Sequence, residues 1–286
     1  MKIIKSVHDM QKYSRSQKRE GRSVGFVPTM GALHHGHLSL FDVARQNADT
    51  LVVSIFVNPT QFGPAEDYDQ YPRDIERDRI LCEERKCDAL FLPSVEEMYP
   101  NGFVKDIKAD PGLSAKLCGK SRPWHFDGVT TVVYRLFRAV EPNAAVFGKK
   151  DFQQALIIKK MVADYKMNVK ILLGEIIRES DGLAMSSRNK YLNAEERTQA
   201  LCLYNAINHA KEMFLKGQSN VGKIIEAVNG IINKAPLAKI DYVEIVDPKT
   251  LEHILEIKDQ ALLALAVFIG ETRLIDNAVL VTKQSG

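Results

Sequence analysis

Little in this 286-residue chain is extreme, and what it lacks narrows the field. Its four cysteines, Cys82, Cys87, Cys118 and Cys202, form no C-x-x-C pair and no paired framework. That excludes a disulfide-stapled scaffold and a cysteine-rich zinc site, and leaves free thiols of the kind a reducing compartment keeps. A formal net charge of +3 gives no field strong enough to select nucleic acid or an anionic membrane. The longest apolar run, 261–269, is strand-sized, far short of the roughly 20 residues of a membrane span. The opening Met1-Lys2-Ile3-Ile4-Lys5 has no apolar core of a secretory leader. These absences predict a soluble, cytoplasmic protein with no nucleic-acid or membrane partner. Internal repeats and low-complexity tracts are missing too. So are G-x-G-x-x-G and G-x-x-x-x-G-K-[ST], which removes the dinucleotide fingerprint and the P-loop.

What is present is an ordinary globular composition, 45% apolar and 26% charged, on a chain long enough for one large α/β domain and a smaller one. Its most informative stretch is Val27-Pro28-Thr29-Met30-Gly31-Ala32-Leu33-His34-His35-Gly36-His37-Leu38. A short apolar strand precedes it, and 38–48 follows with helical spacing of Leu38, Phe41 and Ala44. Gly31 and Gly36 let the backbone approach a ligand, and a helix N-terminus offers unpaired N–H groups to an anion. His34 and His37 then sit over whatever phosphate lies there. A zinc site would need a third ligand, and no nearby cysteine or carboxylate stands at metal spacing.

Further along, 4–21 reads as a polar helix with Val7, Met10 and Tyr13 inward. Residues 50–57 form a near-continuous β-branched run, as in a strand buried on both faces of a parallel sheet. It ends in Asn58-Pro59-Thr60-Gln61-Phe62-Gly63, and ligands of open α/β sheets gather beyond such carboxyl ends. The Asn58 and Gln61 amides are therefore candidates to orient a polar substrate. A charged helix at 74–86 and a strand at 88–93 follow. The stretch 99–129 reads as a loop carrying Arg122 and His125, plausible partners of a carboxylate or phosphate. A helix at 130–140 and a strand at 144–147 lead to a second strand-turn-helix junction, Gly148-Lys149-Lys150-Asp151, where two lysines suit phosphate and Asp151 suits a helix cap. After a strand at 169–176 comes a Gly-containing loop with Met185-Ser186-Ser187-Arg188. Beyond it, helices at 194–214 and 221–232 and strands at 241–246, 261–269 and 277–281 make a helix-plus-antiparallel unit with few candidate catalytic groups. No nucleophile is accompanied by a base and an orienting acid, so covalent enzyme catalysis is not indicated. Positive charge, N–H groups and imidazoles suit an in-line displacement at phosphorus.

The H-x-G-H pattern resembles the nucleotidyltransferase superfamily, and the fuller P-T-M-G-A-L-H-x-G-H-L is similar to one family within it, the pantothenate synthetases or pantoate–β-alanine ligases. N-P-x-Q-F-G at 58–63, Y-P-R at 71–73, R-P-x-H-F at 122–126, F-G-x-K-D-x-Q-Q at 147–154 and D-G-L-A-M-S-S-R-N at 181–189 resemble that family's motifs in its order. The resemblance implies an α/β fold, with a Rossmann-like parallel sheet flanked by helices on both faces over 1–180 and a smaller α+β lid domain over 181–286. It implies ATP-dependent joining of (R)-pantoate to β-alanine through pantoyl adenylate, with release of AMP and pyrophosphate. By the same carry-over, Met30, Gly31, Ala32, Leu33, His34, His35, Gly36 and His37 hold ATP, with Gly148, Lys149, Lys150, Asp151, Ile177, Met185, Ser186, Ser187 and Arg188 completing its site. His34, His37, Lys150 and Arg188 take the catalytic roles, His37 at the position labelled proton donor. Gln61 and Gln154 hold pantoate, Gln61 also receiving β-alanine. Mg²⁺ comes with ATP, helped by Asp78, and the protein is a homodimer. Two rivals stay open: another nucleotidyltransferase, separated by the β-alanine dependence of AMP release, and a non-enzymatic nucleotide-binding module, which would release no pyrophosphate with pantoate present.

Overall fold

A computed structural model describes residues 1–64, 66–104 and 107–282. The chain forms two compact units, Met1–Ser114 with Arg122–Ile176, and Ala115–Ser121 with the residues from Ile177 on.

The first unit runs β1 (Lys2–Ile4), α1 (Val7–Arg19), β2 (Val24–Thr29), α2 (His35–Asn47), β3 (Thr50–Ile55), α3 (Ile75–Glu84) and β4 (Ala89–Phe91). Short helical turns α4 (Val95–Met98) and α5 (Pro111–Ser114) follow. A third, α6 (Cys118–Ser121), lies in the segment that groups with the second unit. Then come α7 (His125–Val140), β5 (Ala144–Gly148), α8 (Phe152–Asp164) and β6 (Lys170–Gly174). The six strands pair in parallel, in the order β1-β4-β3-β2-β5-β6. Period-two alternation decides which side chains meet which helices. Phe26, Val52, Ala145 and Phe147 point into one core with α1, α7 and α8. Val27, Val53, Ile55 and Val146 point into the other with α2 and α3. Burying both faces is why these strands carry no polar stripe.

The sequence differs from this in two places. Residue 4, read as the start of a helix, instead closes an edge strand, 2–4, paired with 89–91, and α1 begins at Val7. The expected loop of 99–129 contains two short helices and the first turn of α7. Gly128 lies in that turn because a Cβ there would come 2.3 Å from the Thr60 carbonyl oxygen.

In the second unit, α9 (Ala194–Leu215) and α10 (Val221–Ile232) share a core with the antiparallel sheet β7 (Ala238–Val246), β8 (Gln260–Ile269) and β9 (Thr272–Val281). β8 is the central strand, and every residue from Ala261 to Val267 is buried. A capping box starts α9: Asn193 Oδ1 accepts from the Glu195 and Glu196 amides at 3.0 and 2.9 Å, and Glu196 reaches back to the Asn193 amide. Residues 115–121, read in the sequence as part of the first domain, belong here because polar anchors hold them. Lys116 pairs with Glu252 at 2.5 Å, Lys120 with Glu244 at 2.7 Å, and the Ser121 hydroxyl bonds to Asp241 at 3.1 Å. Cys118 Sγ lies 3.2 Å from the Tyr242 hydroxyl.

Candidate functional site

In the first unit the strand order reverses between β2 and β5, which are hydrogen-bonded neighbours. Ligands of open parallel sheets bind beyond the carboxyl ends of strands at such a reversal. Both strand-turn-helix junctions singled out in the sequence open there.

The first junction, after β2, is tightly wound. The Thr29 hydroxyl donates to the Ser54 carbonyl at 2.8 Å and accepts from the Gly31 amide at 3.1 Å. Gly31 has φ +84° and Ala32 φ +51°. A Cβ at 31 would meet Asp78 Oδ2 and Ile55 at 2.9 Å, so only glycine fits that position. Asp78, on α3, has no exposed surface and accepts the Ala32 and Leu33 amides at 2.7 and 2.8 Å. Here the sequence expectation is corrected: both Asp78 oxygens face the backbone beneath the turn, so Asp78 is not carried forward as a Mg²⁺ ligand.

At the N-terminus of α2 the two histidines take up one amide of the first turn and the amide just before it. His34 Nδ1 accepts from the Gly36 amide at 3.1 Å, and His37 Nδ1 accepts from the His34 amide at 3.4 Å, a reciprocal box made of imidazoles. A ring nitrogen that accepts from an N–H carries no proton, so both rings hold theirs on Nε2. The rings stack with centroids 4.0 Å apart. Desolvation, and then the nearby Lys150 ammonium, push the His37 pKa down to about 4. His37 is therefore a neutral Nε2–H donor at pH 7, and the Lys150 ammonium is among the charges that act on it. His35 is exposed on the same first turn.

At the second junction Gly148 ends β5, and Lys149–Asp151 make a turn of 3-10 helix before α8. Neither Gly148 nor Asp151 makes a side-chain cap. Asp151 thus stands at the cap position without the bond the sequence allows it. Lys149 pairs with Glu175.

The loop after β3 adjoins the first junction through Gln61, whose Nε2 lies 3.2 Å from the Met30 sulfur. Asn58, 1% exposed, is spent on the fold. Its Oδ1 accepts from the Tyr99 hydroxyl at 2.7 Å and the Thr60 hydroxyl at 3.1 Å, while its Nδ2 donates to Gln61 Oε1 at 3.1 Å and to the Gly128 carbonyl at 3.2 Å. Arg122 does grip a carboxylate, but it is Glu66 of the same chain, at 2.7 and 2.5 Å. Its Nη2 also reaches the Gln61 carbonyl at 3.3 Å, and His125 Nδ1 lies 2.9 Å from that oxygen. Asn58, Arg122 and His125 all bond to the amide or backbone of Gln61. Glu66 and Tyr99 join this network without any motif in the sequence to announce them. Gln154 is half-buried on the first turn of α8, next to Gln153, whose Nε2 donates inward to the Leu113 carbonyl at 2.9 Å.

In the second unit, Ile177 and 185–188 lie at the base and end of a small hairpin. The Met185 amide donates to the Ile177 carbonyl at 2.9 Å, and Arg178 bridges Ala184. Arg178 is fastened to buried Asp276 at 2.6 Å. Ser186 caps the short helix Ser187–Tyr191, accepting from the Arg188 amide at 3.3 Å. Ser187 is buried. Among the described residues no three His, Cys, Asp or Glu side chains converge as a metal cage, and no helix is long and apolar enough to cross a membrane.

An open parallel sheet whose reversal point is flanked by two strand-turn-helix junctions, bearing imidazoles and lysines, defines an α/β protein of the class that binds ligands at that point. A family model, pantoate-beta-alanine ligase, matches residues 2–279. A pantothenate synthetase of Acetivibrio thermocellus is 53% identical over 98% of this chain and 99% of its own, and one of Thermoanaerobacter sp. is 52% identical over 97% and 98%. The crystal structure of pantothenate synthetase from Thermus thermophilus superposes with a TM-score of 0.93 at 44% identity, covering 99% of this chain and 100% of that one. The pantoate-beta-alanine ligase of Francisella tularensis, complexed with β-γ ATP and β-alanine, gives 0.79 at 34% identity, covering 98% and 97%. The chain belongs to the pantoate–β-alanine ligase family, the pantothenate synthetases, and is an enzyme of that ligase class.

Proposed function

We propose that the chain joins (R)-pantoate to β-alanine in two steps, with Mg-ATP as the activating substrate. A pantoate carboxylate oxygen attacks the α-phosphorus, the bond to the β-phosphate oxygen breaks, and pyrophosphate leaves, giving pantoyl adenylate. The β-alanine amine then attacks the acyl carbon, AMP departs with the bonding pair, and the amine loses its proton to give pantothenate.

The observation that carries this is the pair of capped imidazoles at the reversal of the sheet, where the junction that bears Lys150 also opens. Nε2–H donors fixed by their own backbone bonds need no reorganisation as charge develops on the transferring phosphate, and Lys150 supplies the full positive charge. The uncapped first turn of α8, behind Gly148, Lys149, Lys150 and Asp151, offers N–H groups to the same polyphosphate. Met30, Gly31, Ala32, Leu33 and Gly36 form the wall that shapes the nucleotide. Gln61 and Gln154 hold pantoate, and Gln61 also helps receive β-alanine. Ile177, Met185, Ser186, Ser187 and Arg188 keep the nucleotide-binding part the resemblance gives them. Mg²⁺ rides on phosphate oxygens as part of the substrate. A homodimer and a cytoplasmic location belong to the same proposal.

The deciding assay supplies pantoate, ATP and β-alanine. Expected are pantoate-dependent exchange of pyrophosphate into ATP without β-alanine, and AMP release that requires it. AMP release indifferent to β-alanine would refute the ligase and favour another nucleotidyltransferase.

A further inference from the structure

The turn after β2 is folded to receive an anion, and the anion it receives is the protein's own. Two successive residues with positive φ, Gly31 and Ala32, turn the amides of Ala32 and Leu33 to the same side. Such consecutive N–H groups form a nest for a negative charge. Asp78 fills it from beneath, one carboxylate oxygen to each amide, at 2.7 and 2.8 Å. Its neighbour Arg77 donates to the Leu33 carbonyl at 3.2 Å, so the Leu33 residue is held at both its N–H and its C=O. α3 is set for this by Asp74, whose side chain accepts the Arg77 amide at 3.0 Å.

We propose that Asp78 is a positioning residue for nucleotide binding: its buried carboxylate, with Arg77 beside it, locks the turn in the one conformation that aims the His34 and His37 rings. The proposal rests on the nucleotide site described above and adds a residue to its machinery.

An alanine in the left-handed region is strained, so the turn does not hold this shape by itself. Charge-assisted hydrogen bonds to two amides offset that cost. His34 directly follows Leu33, so a relaxed turn re-aims both imidazoles. A displacement of about 1 Å in such a constellation can cost on the order of 10²-fold. Burial raises the Asp78 pKa against the lowering effect of the two amides, so acid opens the clamp sooner than it would protonate an exposed aspartate.

The test uses the full chain, the β,γ-methylene analogue of ATP with Mg²⁺, and the variants Asp78→Asn and Arg77→Met. Asp78→Asn keeps the shape but turns an NH₂ group toward one of the amides. It is expected to weaken analogue binding roughly tenfold to a hundredfold, and Arg77→Met about threefold. In the wild type, the Ala32 and Leu33 amide resonances should move together on acid titration, and in Asp78→Asn that joint movement should vanish. A folded Asp78→Asn that binds the analogue like wild type overturns the proposal. If Asp78→Asn does not fold, unchanged affinity in Arg77→Met, or Ala32 and Leu33 amides that do not titrate together, overturns it instead. Wild-type protein that binds the analogue yet forms no pantothenate would sink the ligase assignment while leaving the clamp to be judged by affinity alone.

Discussion

The two junctions at the reversal of the sheet look alike in sequence, each a strand, a glycine, cationic or imidazole side chains and a helix. They differ in who satisfies the helix. At α2 the histidines take the Gly36 and His34 amides, and Asp78 takes the amides of the preceding turn. At α8 the N-cap residue Asp151 makes no side-chain cap bond. The first junction therefore presents side-chain donors on a rigid frame, and the second presents backbone and lysine charge. In the proposed function one site uses both means of holding phosphate, one at each helix.

The comparison breaks most sharply at His37. His37→Ala removes an Nε2–H donor, and turnover should fall on the order of 10²–10³-fold. Its lost cap bond is long, so urea unfolding should show a stability loss of no more than about 1 kcal/mol. Wild-type turnover in that variant would remove the imidazoles from the mechanism. Lys150→Ala probes the second junction. Pyrophosphate exchange should drop about 10²-fold while pantoate binding, measured by calorimetry, stays within a factor of about three. Equal loss of both would place Lys150 at the acid substrate instead.

A pH titration separates the junctions more finely. The folded His37 takes its proton only near pH 4, against 6.5 for the free side chain. Between those values the unfolded chain binds more protons, so stability falls as pH drops from about 6.5 toward 4 and levels off below. His37→Gln should flatten that slope in urea titrations at pH 7, 5.5 and 4.5, and an unchanged slope would assign it elsewhere. The smallest effect is expected at the caps. Asp151→Ala should cost only a few tenths of a kcal/mol, whereas Asn193→Ala, which breaks the capping box of α9, should cost about 1 kcal/mol. A comparable loss in Asp151→Ala would mean that α8 is capped after all.

The strands of the parallel sheet were legible because burial on both faces leaves runs such as Thr50–Ile55 with no other use. β1 was not, since three residues at a sheet edge have no period to show. The start of α7 hid behind Pro123 and Gly128, which signal a loop, whereas Gly128 is there for its closeness to Thr60. In the site, the motif residues could be listed from the sequence, and the jobs of those facing inward could not. Asp78 meets amides 45 and 46 positions away, and Arg122 meets Glu66 at a distance of 56, separations over which no local pattern carries a signal. The imidazole caps were missed for another reason. Histidine is not a usual cap residue, so H-x-x-H read as ligand-facing only, when each ring gives its Nδ1 to a backbone amide at the start of the helix.

The anchoring of residues 115–121 bears on how this molecule can be dissected. The polypeptide passes from one unit to the other at 114, at 121 and again at 176. A fragment ending at 176 would keep Lys116, Cys118 and Lys120 but forfeit Glu252, Tyr242 and Glu244, and a fragment beginning at 177 would inherit the converse gap. No single cut in the gene yields two self-sufficient halves, and insertions or fusions intended to part the units must respect three crossings rather than one.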